Sequence, residues 1–62
     1  MQLILNNEKK ELEFSGTADQ LIKQLNMRRE EVVIKVNGKL APETTKVDGN
    51  DKVEIIKVVF GG

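Results

Sequence analysis

Apolar and polar residues alternate from the first position of the chain. Met1, Leu3 and Leu5 fall on one side of residues 1–6 and Gln2, Ile4 and Asn6 on the other, the period of a strand. Asn6-Asn7-Glu8-Lys9 is polar and turn-prone. Alternation resumes over residues 10–15, with Leu12 and Phe14 set against Glu11 and Glu13, so the two runs read as a hairpin. Gly16 breaks the pattern. Thr17-Ala18-Asp19-Gln20 then has the form of a capping box, and Ala18, Leu21, Ile22 and Leu25 follow at helical spacing. The stripe ends near Asn26, which predicts a helix of roughly nine residues, too short to persist without packing.

Residues 31–36 are β-branched, with Val32, Ile34 and Val36 on one side and Val33 and Lys35 on the other. Asn37-Gly38 is the pair a two-residue type I′ hairpin turn demands, because both central residues need positive φ. A short return strand over residues 39–41 stops at Pro42, and residues 42–46 form a loop that Val47 ties to the core. Asp48-Gly49-Asn50-Asp51 is a turn, and residues 52–60 form the longest β-rich run before Gly61-Gly62. A helix between two hairpins must lie on one face of a single mixed sheet, here of four or five strands, giving an α+β domain. Its stripe is expected to cover Leu3, Leu5, Leu12, Phe14, Val32, Ile34, Val53 and Ile55. Residues 1–60 read as one domain and residues 61–62 as a flexible tail.

Composition then narrows the chemistry. The 62 residues include no His and no Cys, which removes the imidazole base, the thiol nucleophile and the usual soft metal ligands. Ten basic residues balance ten acidic ones, and the two Phe are the whole aromatic content, so nothing favours nucleic acid as a partner. The apolar run at the start is too short for a signal segment or a membrane span, and a soluble cytoplasmic domain is expected. Asp48, Asn50 and Asp51 lack the spacing of a calcium loop and read as turn chemistry. Glu11, Glu13, Lys35 and Glu54 read as solvated strand positions, and Arg28-Arg29-Glu30-Glu31 as a charged loop. No metal or bound cofactor is expected.

Two features remain. Gly61-Gly62 has no side chains, so such a tail can enter a narrow channel and take backbone angles closed to other residues. Its terminal carboxylate, ionised at neutral pH, can attack the α-phosphate of ATP if an enzyme positions both. The alternative is a frayed terminus without function. The second feature is parity: if Val53 and Ile55 point inward, then Ile56, Val58 and Phe60 point outward, with Ile4 and Val33. A solvated sheet face is normally polar, so these residues suggest a partner-binding surface, unless a bulge near Lys57 turns some of them inward.

The chain resembles the ubiquitin-like sulfur carriers of the ThiS and MoaD family. The resemblance rests on the opening Met-Gln-Leu-Ile-Leu, on Val36-Asn37-Gly38-Lys39, on Gly49-Asn50-Asp51-Lys52-Val53-Glu54-Ile55, and on Val58-Val59-Phe60-Gly61-Gly62. It covers essentially the whole chain; the short length favours the ThiS side, and Gly-Asn-Asp stands where Asp-Gly-Asp is usual. The resemblance implies a β-grasp fold with the first and last strands parallel at the sheet centre. It implies adenylation of Gly62 by a ThiF- or MoeB-like enzyme using ATP and magnesium, then a thiocarboxylate that gives sulfur to a ThiG-like synthase in thiamine thiazole formation. The chain would then be a carrier and not an enzyme, monomeric when free, with Gly61 and Gly62 as reacting tail and Ile4, Ile56, Val58 and Phe60 as docking residues. Other recipients (molybdopterin, a tRNA base), protein modification through Gly62, or an interaction domain with an inert tail are the alternatives.

Overall fold

The computed structural model describes residues 1–58. Seven strands and one α-helix follow in the order β1 (Gln2–Leu5), β2 (Glu8–Glu11), β3 (Gly16–Thr17), α1 (Ala18–Gln24), β4 (Val32–Val36), β5 (Lys39–Leu40), β6 (Lys46–Val47) and β7 (Lys52–Lys57). Five of them form one mixed sheet in the order β2-β1-β7-β4-β5, and β3 and β6 form a separate two-stranded ribbon. β1 and β7 are parallel neighbours, and every other pair in the sheet is antiparallel.

The first hairpin is tighter than the sequence pattern suggests. Asn6 and Asn7 both have positive φ, 49° and 71°, the requirement of a type I′ turn, so Leu5 pairs directly with Glu8. The second strand therefore runs Glu8–Glu11 and not over residues 10–15. Leu12 and Phe14 lie beyond it, yet both pack against the core as expected. Asn outranks most residues in tolerating left-handed backbone, which is why an Asn-Asn pair can do the work of Asn-Gly.

The capping box is present in full. The Gln20 backbone N–H donates to Thr17 Oγ1, and the Thr17 N–H donates to Gln20 Oε1. A cap of this kind contributes about 1 kcal/mol, a large share of what a seven-residue helix has of its own. Gly16 makes room for it: a Cβ there, at φ 153°, would run into the Gln20 side-chain oxygen. At the other end Asn26 turns left-handed at φ 58°; its N–H donates to the Lys23 carbonyl and that of Met27 to the Ile22 carbonyl. This is a Schellman motif, and it ends the helix where the stripe ends.

Ala18, Leu21 and Ile22 are buried against Met1, Leu3, Ile34, Val47, Val53 and Ile55, and Leu25 packs at the rim. All eight sheet and loop residues expected under the helix stripe belong to this cluster or pack on it. The charged loop after the helix contains a 3-10 turn, Arg29–Glu31, from which Arg29 reaches Glu43 in the loop before β6. β5 is Lys39–Leu40, one residue shorter than the sequence suggests, and the β3–β6 ribbon was not foreseen. β7 is followed to Lys57; Phe60 and the Gly61-Gly62 tail lie outside the described residues.

Candidate functional site at the end of the last strand

The strand that leads to Gly61-Gly62 lies at the centre of the sheet, with β1 on one edge and β4 on the other. A strand held on both edges has little freedom in direction, so the course of β7 is fixed by both neighbours. The pairing runs without a bulge to Lys57, opposite Val32 of β4. One step further, the Val58 N–H donates to the Glu31 carbonyl at 2.7 Å. On the β1 side the Lys57 N–H donates to Asn6 Oδ1 at 2.9 Å. Both bonds respect strand geometry, in which successive N–H groups point to opposite edges.

The unbulged register settles the parity of the described part of β7. Val53 and Ile55 face the helix, fully buried, and Glu54 and Ile56 face away. On that outer face Ile56 stands opposite Val33, and Ile4 stands between Lys9 of β2 and Glu54 of β7. Ile56, Val33 and Val58 are half-buried. Ile4 is only 9% exposed although it lies outside the helix-side core. Its register partners on the two neighbouring strands are Lys9 and Glu54. Ile4 and Ile56 thus share a face, and Phe60 lies outside the described residues. The exposed large apolar residue among those described is Leu40, 73% exposed on the edge strand β5, at the far side of the same face opposite Lys35.

The opposite end of β7 is held by a network. Asn37, at φ 52°, begins the second type I′ turn with Gly38 at φ 85°. Its side-chain oxygen accepts from the Lys52 N–H and its amide nitrogen donates to Asp51 Oδ1, each at 3.0 Å. Asp51 Oδ2 accepts from the Asp48 N–H, and Asp48 Oδ1 accepts from the Asn50 N–H, both at 2.8 Å. The Asn37 amide, followed by the Asp48 N–H, holds the Asp51 carboxyl below its ordinary pKa. These bonds fold Asp48-Gly49-Asn50-Asp51 into a turn that uses its own carboxylates. Among the described residues no group of three or more acidic side chains is placed to hold a metal ion. Nor, among them, is any helix long and apolar enough to cross a membrane.

Asn6 and the Glu31 carbonyl are the residues at this site that sequence reasoning did not single out. A signal for Asn6 existed: alternation stops at Leu5 and two turn-forming asparagines follow. For Glu31 there was none, because its backbone makes the contact and any residue could supply it.

The comparisons with known proteins agree with this architecture. Among solved structures the chain is similar to the thiamine biosynthesis protein ThiS from Geobacter metallireducens, at 25% identity over 100% of both chains and a TM-score of 0.67. No curated protein matches it significantly. The five-stranded mixed sheet with one helix on its face is the β-grasp fold of that structure. The sequence profile of the ThiS family matches residues 3–62, nearly the whole chain, and the chain therefore belongs to the ThiS family.

Proposed function

We propose that this chain is a sulfur carrier in thiamine biosynthesis, acting as co-substrate of other enzymes and not as a catalyst. The observation that carries the reading is the family match, which runs through Gly61 and Gly62. In the proposed cycle a carboxylate oxygen of Gly62 attacks the α-phosphorus of ATP on a ThiF- or MoeB-like enzyme, with magnesium, and pyrophosphate leaves. Sulfide (HS⁻) supplied to that complex then attacks the acyl-adenylate carbonyl and displaces AMP, leaving a thiocarboxylate and releasing a proton. A ThiG-like synthase accepts the sulfur. The enzyme supplies electrostatic stabilisation of the adenylyl transfer, and the carrier supplies the nucleophile. The carrier is placed with these enzymes in the cytoplasm and needs no bound cofactor of its own.

Docking is assigned to the outer sheet face. Ile56 faces out there, Val58 and Phe60 follow it at the same parity in the sequence, and Ile4 lies on β1 beside Glu54, diagonal to Ile56. A partner that grips this face places Gly62 in its active site. Because Ile4 is already covered, Ile56 and Val58 carry more of the contact than Ile4.

The test is adenylation of the purified chain by a ThiF-like enzyme with ATP and magnesium. Pyrophosphate release is expected, followed, with a sulfur donor, by a mass change of one sulfur for one oxygen. Deleting Gly62 withdraws the carboxylate by one residue, about 3.3–3.6 Å, and abolishes the reaction. Full adenylation of a variant lacking both glycines would falsify the reading. Ile56→Asp is expected to weaken binding to the enzyme while the free chain stays folded.

A further inference from the structure

We infer that Asn6 is a positioning residue for the tail: its side chain completes the pairing of β7 at Lys57 and thereby sets the direction in which the reacting end leaves the sheet. The inference rests on the carrier reading and deepens it. Sequence places Asn6 at the opposite end of the chain from Gly62, and nothing in the docking face or the tail itself requires it.

The argument starts from the ladder. β1 and β7 are parallel, with Leu5 beside Ile55, and the Asn6 N–H donates to the Ile55 carbonyl at 3.1 Å. If β1 continued, the next bond of a parallel ladder would run from the Lys57 N–H to the Asn6 backbone carbonyl. It cannot form in that way, because Asn6 takes φ 49° to open the hairpin turn and β1 ends at Leu5. The Asn6 side-chain carbonyl stands in for the backbone one, accepting the Lys57 N–H at 2.9 Å. One residue thus satisfies two demands: left-handed backbone for the turn, and an acceptor for the ladder. Asn and Asp combine both abilities, whereas Gly supplies only the first.

The consequence lies downstream. Without that acceptor the β1 edge of β7 would end at Ile55, and Lys57 and Val58 would be held from the β4 side alone, by the pairing with Val32 and the Glu31 carbonyl. From Lys57 to Gly62 an extended chain spans at most about 18 Å, so once the tail is held extended in a partner's channel a tilt of roughly 10° at its root displaces its tip by about 3 Å. Displacements of even about 1 Å at a reacting centre can cost on the order of 100-fold in rate. Docking through Ile56 and Val58 need not change, since Ile56 is placed by the β4–β7 pairing and Val58 keeps its bond to the Glu31 carbonyl. Loss of the Asn6 acceptor is therefore expected to act on turnover and not on affinity.

The experiment compares Asn6→Gly, which keeps the turn and loses the acceptor, with Asn6→Asp, which keeps both. Backbone amide exchange of the free chain reads the bond directly, and pyrophosphate release with a ThiF-like enzyme, ATP and magnesium reads its effect. In Asn6→Gly the Lys57 amide is expected to exchange at least about tenfold faster while Ile55 is unaffected. The kcat for adenylation falls about tenfold or more with KM for the carrier within about twofold, and Asn6→Asp restores both readouts. An unchanged kcat in Asn6→Gly despite faster Lys57 exchange overturns the inference and leaves the carrier reading intact. So does a loss confined to KM, or one that Asn6→Asp fails to rescue. A wild-type chain that is not adenylated overturns the carrier reading and the inference with it.

Discussion

The two ends of β7 use the same device with different backing. At each end an asparagine opens a type I′ turn, takes positive φ, and lends its side-chain oxygen to a β7 N–H that its own backbone carbonyl has turned away from: Asn37 for Lys52, Asn6 for Lys57. At the Asn37 end the amide nitrogen is also engaged, by Asp51, and Asp51 and Asp48 tie the adjoining turn into the same network. At the Asn6 end that side chain makes a single bond to Lys57, with the Glu31 carbonyl holding Val58 from the other side. The entry to the strand is over-determined, and the exit is held by one acceptor on each edge. In the proposed carrier role, a strand that presents its end to other proteins needs direction there, but not a cage of side chains around it.

The largest perturbation removes what both ends share. Ile55 lies between them, fully buried under the helix. Ile55→Ala is expected to cost about 2–5 kcal/mol in urea unfolding, and to loosen the Lys52 and Lys57 amides alike. A loss confined to one end would mean that the two are not coupled through the strand. Asn37→Ala comes next. It deletes two side-chain hydrogen bonds and puts a residue poorly suited to positive φ at the turn, for an expected loss of about 1–3 kcal/mol. Asn6→Gly deletes one bond and keeps the turn, so about 0.5–1.5 kcal/mol is expected. If Asn6→Gly proved the more destabilising of the two, the contrast between a networked and a single-bond end would be wrong.

The smallest effect is a pH dependence confined to the networked end. The Asp51 carboxyl has its pKa lowered in the folded chain by the Asn37 amide and the Asp48 N–H. A lowered folded value means that the unfolded chain binds the proton more readily. The stabilisation is then present above the unfolded value, about pH 4, and is lost as pH falls toward and through the folded one. Asp51→Asn should flatten that acid limb of the unfolding midpoint, whereas Asn6→Gly should leave its shape unchanged. An acid limb that persists in Asp51→Asn would assign it to other carboxylates.

Much of this was legible in the chain. The alternation of Leu3 and Leu5, the capping box at Thr17 and Gln20, the stripe of Ala18, Leu21 and Ile22, and the Asn37-Gly38 turn are local signals, and each names its own element. The outward parity of Ile56 followed from the same period of two, and the pair of terminal glycines needed no fold to be noticed. The start of β2 was misplaced because polar Glu8-Lys9-Lys10-Glu11 has no apolar partner to mark it; it is a strand through pairing with β1 alone. The short β3–β6 ribbon is likewise a matter of meeting across the fold, since two residues carry no period.

What the sequence determined by itself was therefore the helix, the strands with an apolar period and the faces they bury, because propensity, capping and hydrophobic period act over a few neighbouring residues. The parallel pairing of the first and last strands was expected only through the family resemblance, and tertiary structure alone decided what Asn6 does. Its bond to Lys57 joins residues 51 apart in the chain and exists only because β1 and β7 lie side by side in parallel. The place of Ile4 has the same origin, since it sits between strands that contribute Lys9 and Glu54 on either side of it. Contacts of that kind depend on the meeting of distant segments, and no local period encodes them.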